Sequence, residues 1–164
     1  MDKMIIVLNL IGSVLIGSTI YFGYTAAYDV KYFVTHIYMA LIAASMVILS
    51  QVAIFFYLIA TGASIKEAAR EKGIDFGVDV FKETGRFKKK AFPFAMLAIL
   101  LAIATTAMGG AVHTGVLLPY IHGIVSWCTV CACIFSAVNA AKCFKENKLL
   151  IMKVIDTEMQ KLKT

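Results

Sequence analysis

Charge is scarce in this chain and unevenly placed. Only 16% of the 164 residues are Asp, Glu, Lys or Arg, against about a quarter in an ordinary soluble domain. Three stretches, Met4–Tyr28, Tyr32–Ile65 and Ala91–Asn139, carry none. Each exceeds the roughly 20 apolar residues that cross a bilayer. With 60% hydrophobic residues and a mean hydropathy of +0.82, a soluble globular domain is excluded. Other absences narrow the chemistry. Without Asp, Glu, Lys or Arg inside the apolar runs, the intramembrane carboxylate of a proton-coupled transporter is missing. No Ser-His-Asp set, HExxH zinc motif or phosphate-cradling glycine loop occurs, so hydrolytic and nucleotide-driven functions lack their residues.

What charge there is serves as a map. A net charge of +6 and a pI near 9.2 would point to nucleic acid in a soluble protein. Here the cations flank apolar runs and read as topology signals, so no nucleic-acid partner is expected. The first run lacks a small-residue cleavage site and continues as Ser18-Thr19-Ile20-Tyr21-Phe22, the mark of a retained span rather than a removed signal peptide.

The third run is about twice one span's length, and Gly109, Gly110 and Gly115 with Pro119 break it in the middle as hairpin punctuation. Four spans follow, at about 4–27, 32–60, 92–112 and 118–143, in a single membrane domain of 1–164 folded as an all-α up-down bundle. Pro93 is expected in the first turn of span three, where its missing N–H costs little. Fifteen of the sixteen Lys and Arg then fall on one side, with Lys31 alone on the other. Both termini and the loop 61–91 are therefore expected to be cytoplasmic, in a bacterial or archaeal cytoplasmic membrane.

Span two, at about 29 residues or roughly 43 Å, exceeds a hydrocarbon core of about 30 Å and should tilt or project. Ser64 and Glu67 form a capping-box pattern and Gly73 a stop, which predicts a short helix near the headgroups. The C-terminal 145–163 sets Leu149, Ile151, Met152, Ile155 and Met159 among lysines, the pattern of an interfacial amphipathic helix. Anionic lipid on the cytoplasmic side is the expected partner of these basic runs, with a docked cytoplasmic protein as the alternative.

The chemistry-bearing side chains are three histidines, all in the outer third of the membrane. His36 lies about one turn inside span two, His113 closes span three, and His122 lies about one turn into span four. On span four the stripe His122, Ser126, Thr129, Cys133, Ser136 recurs every three to four residues and should face the bundle interior. His36 shares its face with Ala40, Ala43 and Ala44. His113 shares its face with Gly110, Gly109, Thr106 and Ala102. Small faces permit close helix approach or a flat ligand between helices.

Imidazole is an axial ligand for haem iron, and a bis-histidine site needs two at one depth on facing helices. Spans two and four sit diagonally in an up-down bundle, which makes His36 and His122 the preferred pair, with His113–His36 as an alternative. His113 is a candidate partner for a propionate or a quinone, and Lys31 is the one nearby cation for a propionate. Lacking a Cx2CH attachment motif, any haem would be of the b type. Three imidazoles converging on a Zn, Cu or Fe ion, with Asp29 as the acidic candidate, is the second metal reading. Histidines that only hydrogen-bond between helices are the third.

Other features have simpler accounts. Cys128, Cys131 and Cys133 include a Cx2C pair, but thiols in mid-membrane are protonated and read as small packing groups; Cys143 should be reduced and free. Asn9, Gly12, Ser13, Gly17 and Ser18 read as a packing face within the bundle or across a homo-oligomer. Gln51 reads as an interhelical hydrogen bond or a quinone contact. Tyr21, Tyr24, Tyr28, Tyr32, Tyr38 and Tyr120 form an outer aromatic belt.

A small four-span bundle with paired histidines near one surface resembles, in architecture and histidine placement, the b-type cytochrome subunits that anchor respiratory oxidoreductases. No diagnostic motif is shared, so the resemblance assigns no residue roles. The functional expectation is a b-type haem protein passing electrons between quinone and a partner subunit at the outer face. The alternative is a cofactor-free tetraspan scaffold or accessory subunit.

Overall fold

Along the fourth helix the inward residues are His122, Ser126, Thr129, Cys133, Ser136, Ala140, Cys143, Asn147, Leu150 and Val154, in alternating steps of four and three. A repeat of 3.5 residues keeps one seam facing its partners and is the signature of left-handed, coiled-coil-like packing. In the computed structural model, which describes residues 2–26, 28–71 and 80–161, this seam runs through a four-helix bundle. Its helices are α1 (Asp2–Ala26), α2 (Lys31–Glu71), α3 (Val80–His113) and α4 (Pro119–Lys161). All four are long and apolar enough to cross a membrane, as expected of a multi-pass membrane protein. No strand occurs among the described residues.

Neighbours run antiparallel, and the order around the bundle is α1, α2, α3, α4 and back to α1, with α2 and α4 touching across the middle. Two hairpins set this order. Asp29 opens α2 by accepting the Lys31 N–H at 3.1 Å, a capping bond that satisfies a free helix-start donor. At the other hairpin, Gly115 takes φ of +75°, and Val116 N–H reaches back to the Ala111 carbonyl at 2.9 Å. That is a Schellman stop, and glycine adopts its left-handed residue without Cβ strain. Pro119 then starts α4, where it lacks only a donor that has no helical partner.

The helices are longer than the spans. The 25 residues of α1 make about 37 Å, enough for the membrane alone, whereas the 41, 34 and 43 residues of α2, α3 and α4 make about 61, 51 and 64 Å. The excess gathers at the lysine-rich end, where Ile65 of α2, Val80 and Phe87 of α3, and Phe144, Leu150 and Val154 of α4 share one core cluster with Ile5 of α1 and Ile54 and Leu58 of α2. Large side chains there gain about 1.5–3 kcal/mol each from leaving water. Within the charge-free part the core is Ala43, Val47, Ala98, Ala102, Ala132 and Cys133 with Ile16 and Ile20. Lipid is as apolar as leucine, so close packing of small residues replaces the hydrophobic effect as the cohesive term.

Three expectations change accordingly. No separate helix starts at Ser64: α2 continues unbroken to Glu71, and the Ser64 hydroxyl donates back to the Ala60 carbonyl at 3.1 Å instead of capping a new start. Its neighbours Leu58 and Ile65 are buried against α3 and α4, and that packing carries the helix through. The segment from Lys145 extends α4 and turns Leu150 and Val154 inward, leaving Leu149, Met152, Ile155 and Met159 exposed. Pro93 lies inside α3, which begins at Val80, so its ring removes a hydrogen bond within the helix rather than in its first turn. The expected end of span one at Ala27, the stop at Gly73 and the end of the C-terminal helix at Lys163 lie outside the described residues.

Candidate functional site

Folding α1 and α2 back on each other about Asp29 and Val30 brings residue 23 opposite residue 36, and folding α3 and α4 about Gly115 and Val116 brings 109 opposite 122. The structure has both pairings. A Cβ on Gly23 would lie 3.0 Å from His36 Cε1 and 3.2 Å from Nδ1, and one on Gly109 would lie 3.4 Å from His122 Cε1. Each imidazole thus occupies the space of an absent side chain.

Across the α2–α4 diagonal the two rings meet. Their centroids are 6.3 Å apart and their planes perpendicular, at 88°. The His36 Nδ1 is 2.9 Å from the Thr19 carbonyl of α1. A carbonyl only accepts, so Nδ1 carries the proton in this contact, which leaves Nε2 as the nitrogen that could ligate. On His122 the Nδ1 is buried with no hydrogen-bond partner among the described residues. Two imidazoles on opposite sides of one metal ion, with bonds of about 2.0–2.1 Å, place their centroids roughly 6–6.5 Å apart, whereas in a tetrahedral site they lie about 5 Å apart. A carbonyl holding the remote nitrogen is the usual way a ligating histidine is oriented.

His113 is not part of this pair. It ends α3 and stacks on Phe33 of α2, with centroids 4.9 Å apart and planes at 29°. No group of three His, Cys, Asp or Glu side chains is placed to hold a metal ion among the described residues. Lys31 pairs with Asp29 at 2.8 Å and lies over the Tyr32 ring. Both candidates for a metal-bound carboxylate and a propionate partner are therefore engaged with each other.

Below the histidines the inward stripe of α4 makes two more contacts with α2. Ser136 donates to Gln51 Oε1 at 2.6 Å, and Asn147 Nδ2 donates to the Thr61 hydroxyl at 2.9 Å. With His36–His122 these form three polar rungs, 86, 85 and 86 residues apart in sequence, which hold the two parallel helices in one register. A further bond, Thr105 to Thr129 at 2.8 Å, ties α3 to the same stripe. Gln51 is thus an interhelical hydrogen-bonding group.

The small polar face of α1 divides. Asn9, Gly12 and Ser13 are buried, with Gly12 against Val47, while Gly17 has open space beside it. Cysteines divide likewise: Cys133 and Cys143 are buried, whereas Cys128 and Cys131 are exposed on the outer surface of α4 and pack against nothing inside the bundle. Their places between the stripe positions explain this, since 128 follows Ser126 by two and 131 follows Thr129 by two, which turns them away from the inward face. Tyr21, Tyr24, Tyr28, Tyr38 and Tyr120 are exposed, as an aromatic belt requires.

Thr19, Gly23 and the role of Gly109 were not singled out by residue type. The signal available for them is hairpin arithmetic. No protein-family model matches the chain, and no curated protein or solved structure shows significant similarity to it.

Proposed function

We propose that this chain is a membrane b-type haem protein that passes electrons between quinone and a partner subunit at the outer face, and that His36 and His122 are the residues that would hold the haem. The observation that carries the reading is the pair itself: two half-buried imidazoles on diagonal helices, one with its remote nitrogen held by a carbonyl, at a separation compatible with two ligands on opposite sides of one metal ion. The haem would supply reversible one-electron chemistry. The protein's part is to fix ligand orientation, exclude water and set the depth at which electrons enter.

The distribution of cations supports the accompanying topology, with both termini and the helical extension cytoplasmic and the histidines under the outer face. The short hairpins on that face leave little surface for an external donor, which favours a partner subunit.

A second reading rests on the same ring pair. Perpendicular rings 6.3 Å apart also fall within the range of an ordinary edge-to-face contact, as in a cofactor-free tetraspan scaffold whose histidines only join helices. Alanine variants separate the two. His36→Ala and His122→Ala should each abolish haem retention in purified protein, while His113→Ala keeps it. Equal haem content in all three, or none in the parent protein, overturns the first reading.

A further inference from the structure

Between α3 and α4, where their charge-free stretches end, the surface opens into a cleft of about 350 Å³ lined by Lys89, Lys90, Phe94, Asn139, Lys142, Cys143 and Glu146. We infer that this cleft binds the phosphate of one anionic phospholipid. Three ammonium groups face one carboxylate. Glu146 is already shared by Arg86 at 3.4 Å and Lys90 at 3.5 Å. Lys89 and Lys142 make no ion pair among the described residues. Two cations on different helices thus converge on a recess with their charge uncompensated, the arrangement by which basic pockets between membrane helices hold anionic headgroups.

Position selects a lipid over a soluble anion. Ala91 begins one charge-free stretch and Asn139 nearly ends it on the return helix, so the lysines sit at the boundary that a phosphate occupies in a bilayer. Immediately on the apolar side, Phe94, Leu97, Phe135 and Val138 are exposed and offer a continuous surface for acyl chains. Lys88, the neighbour in the same basic run, does not take part. It lies against Gly62 of α2, on another side of α3. The inference rests on the chain crossing a membrane and is independent of any haem.

Native mass spectrometry of the detergent-purified protein, with phosphatidylglycerol, phosphatidylcholine or inorganic phosphate added separately, tests it. One phosphatidylglycerol should be retained about tenfold more than phosphatidylcholine, since two charge-assisted contacts are worth that much or more. Lys89→Gln with Lys142→Gln should remove the preference, and Lys88→Gln should keep it, with helicity by circular dichroism unchanged in each. Equal retention of the two lipids, a preference that survives the double variant or disappears with Lys88→Gln, or binding of inorganic phosphate without phosphatidylglycerol, would overturn the inference.

Discussion

Ser136 and Gln51 are joined by a 2.6 Å hydrogen bond in the middle of the bundle, both fully buried, and this bond fixes α2 and α4 in the register that sets His122 level with His36. In a low-dielectric interior, leaving one partner unpaired costs about 1–3 kcal/mol. Ser136→Ala should therefore lower thermal stability in detergent by that amount, and Gln51→Leu similarly. The double variant should lose less than the sum of the two, because no orphaned amide remains. Additive losses would show that the bond carries no coupling.

Asn9 predicts the opposite sign. Its side chain is 1% exposed, and neither Oδ1 nor Nδ2 has a hydrogen-bond partner among the described residues. Replacing an unsatisfied amide with an apolar group of similar size removes a desolvation penalty of about 1–3 kcal/mol. Asn9→Leu should raise the unfolding midpoint. A lower midpoint would mean that a bound water or another group satisfies this amide.

Gly23 sets the His36 ring. An alanine there would put Cβ 3.0 Å from Cε1, tighter than nearly all such contacts, so the ring must give by a few tenths of an ångström and its hold on the Thr19 carbonyl loosens. Loss of such an orienting contact costs roughly 10–100-fold in metal affinity. Gly23→Ala should thus lower haem retention by about tenfold or more, while Gly17→Ala, with open space beside it, should leave it unchanged. Haem titration of the two variants distinguishes these outcomes.

The extension beyond the charge-free runs should behave like a soluble helical core. Phe144 is 1% exposed and packs edge-on against Tyr57, with centroids 4.4 Å apart. Phe144→Ala should cost about 3–5 kcal/mol. Leu149, 57% exposed and five residues further along α4, should cost under about 0.5 kcal/mol on replacement by alanine. Equal effects of the two would place both on the same face of α4 and contradict the packing described.

The bundle and the histidine pair were legible in the sequence for different reasons. Charge-free runs mark helices that cross a membrane because charge is costly there, and the four expected spans coincide with parts of α1 to α4. The stripe from His122 to Ser136 faces inward as its spacing implied. The lengths of α2, α3 and α4 were obscured because the hydropathy signal stops at Ile65, Ala91 and Lys142 while the seam does not. Leu58, Thr61 and Ile65, or Cys143, Asn147, Leu150 and Val154, continue the same three-and-four steps into the charged region. Only a periodicity followed across the composition change reveals them. Gly23 and Thr19 escaped because their importance lies in what stands opposite, a relationship visible only once the hairpins are closed.

The most direct measurement is the absorption spectrum of the purified protein, oxidised and then reduced with dithionite. A Soret band and an α band that sharpens on reduction, at one haem per chain and lost in His36→Ala and His122→Ala, is the result expected for a low-spin bis-histidine b-type centre. A colourless, metal-free protein with intact helicity, from cells supplied with haem, would contradict it and leave the perpendicular imidazoles as a contact between helices.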